Sequence, residues 1–255
     1  VNTSNPAFSN ELLNSFDQSY GYGVARSDVT TVQGTIVKTM ILLAILCATG
    51  LWSWNATADG RMGYGMAIGS ALGGFVVAMI TIFKPTASPY TAPLYAALEG
   101  VFLGALSQII DLRYHERYPG IAFQAVTLTL GVLFVMLFVY ATGLVKVTDK
   151  LKTGIVMATG AVCMFYGLAI LLRFFGVTLP MFNGGGNPMI AIGFSLFVVG
   201  LASLNLLLDF DFVDKAAQAE APKYMEWYGA FGLMVTLVWL YLEILRLLRN
   251  LSDRR

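Results

Sequence analysis

Ionisable side chains are scarce in this sequence. Asp, Glu, Lys and Arg make up 12% of its 255 residues, about half of what a soluble domain uses to cover its surface. Most of the surface is therefore expected to face lipid. The net charge of +1 argues against an electrostatic nucleic-acid binder. A single histidine, His115, argues against a metal centre built on imidazole. The two cysteines, Cys47 and Cys163, each lie inside an apolar run. That placement suits neither a disulfide framework nor a thiolate metal site, and both are expected to act as small apolar filler. No nucleophile elbow and no Gly-x-Gly-x-x-Gly occurs, and the glycine-rich turn at 183–187 lacks the Lys–Ser/Thr of a phosphate loop. An enzyme is not expected, nor any cofactor beyond a transported ion.

What fills the chain instead is hydrophobic sequence, 57% of the whole, gathered into runs. A bilayer core needs about 20 mostly apolar residues in helix. Seven stretches qualify, at roughly 35–54, 64–83, 92–110, 122–142, 154–175, 189–210 and 227–248. The expected fold class is all-α, a seven-helix transmembrane bundle at 34–250. A polar tail at 1–33 precedes it, with room for a short helix near Asn10–Phe16, and residues 251–255 follow. No apolar h-region precedes the first span, so no signal peptide is expected. Trp52 and Trp54 close the first span at an interface. Asp111, Arg113, His115, Glu116 and Arg117 read as a polar loop after the third.

Basic residues set the orientation. The N-tail side carries Arg26, Lys38, Lys84, Lys146, Lys150, Lys152, Lys215 and Lys223. The opposite loops carry Arg61, Arg113, Arg117 and Arg173. This favours a cytoplasmic N-terminus, although Arg246, Arg249, Arg254 and Arg255 level the count at the other end. Gly65, Gly69 and Gly73, and Gly100 with Gly104, make faces of minimal bulk on which neighbouring helices are expected to pack closely.

Ionisable groups inside a membrane are costly, so each marks a candidate site. Glu99 lies about 10 Å into the third span. Lys38 falls in the first turn of span one, Asp209 late in span six and Glu226 at the start of span seven. With the N-terminus inside, these four are expected to form one cluster in the cytoplasmic third of the bilayer, with Lys38 a candidate partner for Glu99. Asn205 shares a helical face with Asp209, while Asp211 points about 200° away, toward headgroups or the loop. A carboxyl pair of Asp209 and Glu99 would be proton-responsive, since like charge and desolvation both oppose full ionisation. Either acid is a candidate for transient calcium. Glu243 sits toward the far side, where Arg246, three residues on, offers a local ion pair.

Four stretches carry a family resemblance. They are Gly34–Thr35 through Lys38–Thr39, Pro93–Leu94–Tyr95 through Glu99–Gly100, Leu204 through Phe212, and Ala221–Pro222–Lys223–Tyr224–Met225–Glu226 running on to Leu240–Tyr241–Leu242–Glu243. The chain resembles the Bax-inhibitor-like, or transmembrane Bax inhibitor motif, family, in a prokaryotic branch. The resemblance implies seven helices with the last one central, in a prokaryotic plasma membrane. It also implies a pH-sensitive calcium leak closed by an acid pair, to which Asp209 and Glu243 correspond. Glu99 and Glu226 are alternative partners for Asp209. Relatives have been associated with a membrane-bound AAA protease, so a non-conducting regulator of another membrane protein is the second expectation.

Overall fold

A computed structural model describes residues 29–176 and 188–253. The segment in which a helix near Asn10–Phe16 was expected lies outside them. The described residues form seven long helices: α1 (Val32–Ala58), α2 (Tyr64–Phe83), α3 (Ser88–Tyr114), α4 (Ile121–Ala141), α5 (Asp149–Phe174), α6 (Pro188–Gln218) and α7 (Met225–Ser252). A single 3₁₀ turn, Pro85–Ala87, joins α2 to α3. All seven are long and apolar enough to cross a membrane, so the fold is an all-α polytopic bundle. Successive helices run in opposite directions. The starts of α1, α3, α5 and α7 share one end, called here the N-terminal face.

Local chemistry starts and stops the helices. Thr31 caps α1 by accepting from the Gly34 amide at 2.9 Å, and Thr148 caps α5 through the Leu151 amide. Pro89 stands in the first turn of α3, where a missing amide costs nothing. Glu220, just past the end of α6, opens the α6–α7 connection with φ of 50°, a left-handed conformation that non-glycine residues rarely hold.

Two spans outrun their expected limits. α6 continues to Gln218 because Asp211 and Lys215 pair across one turn at 2.7 Å, which carries the helix through its own charged residues. α3 continues to Tyr114, so Asp111 and Arg113 are helical and not part of a loop. His115, Glu116 and Arg117 follow as an exposed turn.

The last helix is the core of the molecule. The apolar window of α7 is 72% buried, against 11% for α1 and 17% for α5. Its backbone packs against α1, α3, α4 and α6. Helix α2 instead leans on α3, and α5 on α6. The central helix thus has an inner ring of four, with two helices outside it. Tyr228, Phe231, Met234 and Leu240 of α7 are fully buried, and Tyr95 of α3 meets Phe231 edge to face with ring centroids 5.1 Å apart.

Glycines decide how close the ring comes. A Cβ on Gly100 would collide with Leu46 and Thr49 of α1, and one on Gly104 with the Gly50 carbonyl. On α2 the expectation fails. Gly65 and Gly69 face open space and Gly73 makes only an ordinary contact with Leu98, whereas Gly74 is the tight position, against Glu99. Cys47 and Cys163 are exposed on the outer surface and are not core filler.

Candidate functional site

The acids distribute over separate places along the bundle, and the single expected cluster does not form. At the N-terminal face, Glu226 is wholly buried in the first turn of α7. It is the best-satisfied carboxylate in the described structure. Lys38 of α1 pairs with its Oε2, Lys223 with Oε1 at 3.0 Å, and Thr31 donates both its amide (3.0 Å) and its hydroxyl (2.9 Å) to Oε1. The amino end of α7 adds a favourable dipole. Gly34 leaves the room, since a Cβ there would overlap the Glu226 carboxylate. Lys38 therefore serves Glu226 and not Glu99.

The connection between α6 and α7 gathers the neighbouring ends. The Thr30 amide donates to the Ala221 carbonyl and its hydroxyl to the Pro222 carbonyl, both at 2.7 Å. Val29 and Pro222 form an antiparallel bridge. Ser88, at the start of α3, donates to the Tyr224 carbonyl at 2.9 Å. Residues 29–31, which the sequence places in the polar tail, strap the beginning of α1 across the entrance to α7.

Asp211 turns toward α5, not toward solvent. Its Oδ2 receives Lys152 at 2.8 Å and Lys215 at 2.7 Å, and the Lys152 side chain is 4% exposed. One turn along α6, Asp214 accepts from the Tyr140 hydroxyl of α4 at 2.7 Å. Asn205 donates to Thr159 of α5 and to the Leu201 carbonyl, both at 2.9 Å. Asp209 itself is 1% exposed, turned inward as its phase on α6 requires.

Glu99 is buried against α2, with its carboxylate close to Gly74. Among the described residues it makes no hydrogen bond and no ion pair, and so it does not pair with Asp209. Glu243 takes its local partner. Arg246 binds it at 3.0 Å, Tyr166 of α5 donates to it at 3.0 Å, and Arg246 in turn donates to the Tyr166 hydroxyl and lies over that ring.

The register of α6 on α7 separates Asp209 from Glu243. Gly229 packs on Val213, and Asn250 donates to Ser195 at 3.0 Å. Asp209 is then level with Gly232 and Leu233, on the order of 15 Å along α7 from Glu243. The acid pair implied by resemblance is therefore not formed by these two residues. Among the described residues no group of three or more His, Cys, Asp or Glu side chains converges to hold a metal ion.

Sequence reading missed the partners that come from elsewhere in the chain: Thr31, Tyr140, Lys152, Thr159 and Tyr166. Three of these, Lys152, Thr159 and Tyr166, recur every seven residues on α5. That is one helical face, and the spacing was legible as a polar stripe within an otherwise lipid-facing helix.

Residues 5–253 match the family described as Bax inhibitor 1 like. The chain belongs to that family. No match was found among curated proteins or among solved structures.

Proposed function

We propose that this Bax inhibitor 1 like protein is a pH-sensitive cation leak, calcium being the preferred ion, controlled by carboxyl groups held inside the bundle. The observation that carries this reading is the state of Glu99: a carboxyl group in the middle of a membrane-spanning helix, buried against α2 and without a cation. Acids at such depth are retained where a proton or an ion has to be handled. Gaining or losing a proton there changes the charge of a low-dielectric interface, and with it how α2 and α3 sit together. Asp209, buried on α6, is the second candidate. Carboxylate oxygens are the donors calcium prefers. The cytoplasmic N-terminus and a prokaryotic plasma membrane belong to the same proposal.

The test is calcium flux into vesicles carrying the purified chain, followed between about pH 6 and 8. Glu99→Gln and Asp209→Asn are the informative variants. Flux whose pH dependence survives both removes these acids from the mechanism.

A second reading is favoured by one observation. The strap at Val29–Thr31 is fixed to the α6–α7 connection at the N-terminal face, and on this reading the polar sequence that precedes it is the handle for another membrane protein. A membrane-bound AAA protease is the partner the family suggests. On that reading the purified chain conducts nothing, and removing residues 1–28 abolishes partner binding without unfolding the bundle.

A further inference from the structure

Helices α1 and α3 run parallel, and their register is set by two close approaches: Gly100 on Leu46, and Gly104 on Gly50. Following the same faces toward the opposite end, four and then seven residues on, puts Gln108 and Asp111 of α3 on the side that faces the last turns of α1, which carry Trp54 and Thr57. Helix α7 closes the third side. Its Tyr241 hydroxyl meets Ser107 at 2.6 Å, and Tyr114 donates to Asp253 at 3.3 Å, so Asp111 is bracketed by two α3–α7 contacts on neighbouring turns.

At this level three buried oxygens stand out. Thr57 Oγ1, Gln108 Oε1 and Asp111 Oδ1 have no hydrogen-bond partner among the described residues, and the Gln108 side chain belongs to a residue only 6% exposed. Buried acceptors are almost always satisfied, and elsewhere in this bundle Glu226 and Asp211 are satisfied several times over. Their chemistry is uniform: a carboxylate, an amide carbonyl and a hydroxyl, all hard oxygen donors carrying one negative charge. Such a set repels anions and suits a hard metal cation.

We propose that Thr57, Gln108 and Asp111 form a binding site for a hard divalent cation, of which Ca²⁺ is the representative, between α1, α3 and α7 at the face opposite the N-terminal one. A single carboxylate makes the site weak, with a dissociation constant of roughly 10⁻⁴–10⁻³ M. It lies about 18 Å along α3 from Glu99, and its occupancy does not depend on whether the protein conducts.

Tb³⁺ serves as the probe, because Trp54 at the same level can sensitise its luminescence. The full chain is titrated in non-ionic detergent in an Asp59→Asn, Glu116→Gln, Asp253→Asn background, which removes exposed acids near this face. Saturable luminescence displaced by Ca²⁺ is expected. Asp111→Asn should weaken it at least tenfold, and Thr57→Val and Gln108→Leu several-fold each. Millimolar Ca²⁺ should also raise the melting temperature of the parent and leave that of Asp111→Asn unchanged. Absence of a saturable signal would mean that these groups meet only water and overturns the proposal. So does a signal that survives Asp111→Asn, or one that is untouched in both neutral variants.

Discussion

Glu226 shows what one side chain does in this fold. Its carboxylate lies at 0% exposure with two lysines and Thr31 on it, so it ties the start of α1 to the start of α7. Removing its charge leaves Lys38 without a counter-charge in a mostly buried position. Glu226→Gln should destabilise the bundle by about 3 kcal/mol, the usual cost of breaking a buried pair. A double-mutant cycle with Lys38→Met, read by thermal unfolding in detergent, should return most of that as coupling. The glycines separate equally well. Gly104→Leu forces a side chain into the Gly50 carbonyl and should cost about 3 kcal/mol or prevent folding, as overpacking does. Gly69→Ala meets open space and should leave the melting temperature within experimental error.

At the scale of an element, α5 packs its backbone chiefly against one neighbour, α6. Its buried residues are Lys152, Ile155, Thr159 and Val162, and three polar clasps at seven-residue intervals hold it: Lys152 on Asp211, Thr159 on Asn205, and Tyr166 on Glu243 with Arg246. In lipid, interhelical packing and hydrogen bonds substitute for the hydrophobic drive available in water. Thr159→Val should weaken the contact by about 0.6 kcal/mol. Lys152→Met, which strands half of the charge balance around Asp211, should weaken it more. Hydrogen exchange should rise along α5 in both variants, while α7, buried on all sides, keeps its protection. Equal loss of protection in α5 and α7 would show that α5 is not a separately attached unit.

The whole molecule is organised by the burial of α7 and by an odd number of crossings. Seven antiparallel helices put Val29 and Asp253 on opposite faces, so reporters fused to the two ends should partition to opposite sides of the membrane. The separation of acids along the bundle has its own consequence. Asp209 and Glu243 lie on the order of 15 Å apart along α7. The stability effects of Asp209→Asn and Glu243→Gln should therefore add within about 0.5 kcal/mol. A large coupling between them would mean that α6 slides on α7 far enough to bring the two acids together.

Hydropathy alone determined that this chain is a seven-span bundle, because about 20 apolar residues in a row have one economical way to satisfy their backbone in lipid, and that way is a helix. The phase of Asp209 and Asn205, the tight Gly100–Gly104 face and the Glu243–Arg246 pair were legible for a similar reason: all are local, set by 3.6 residues per turn. Partners across helices were not. Lys38 could equally have served Glu99 by depth, and only the docking of α1 on α7 assigned it to Glu226. Asp111 reads as a loop residue in the sequence, and only the structure, in which α3 runs four residues further, makes it helical. Depth along a helix follows from counting, but azimuth and register between helices come from packing, which depends on side-chain volumes throughout the bundle. Tertiary structure therefore decided which acid meets which cation across helices, because that depends on how the helices dock.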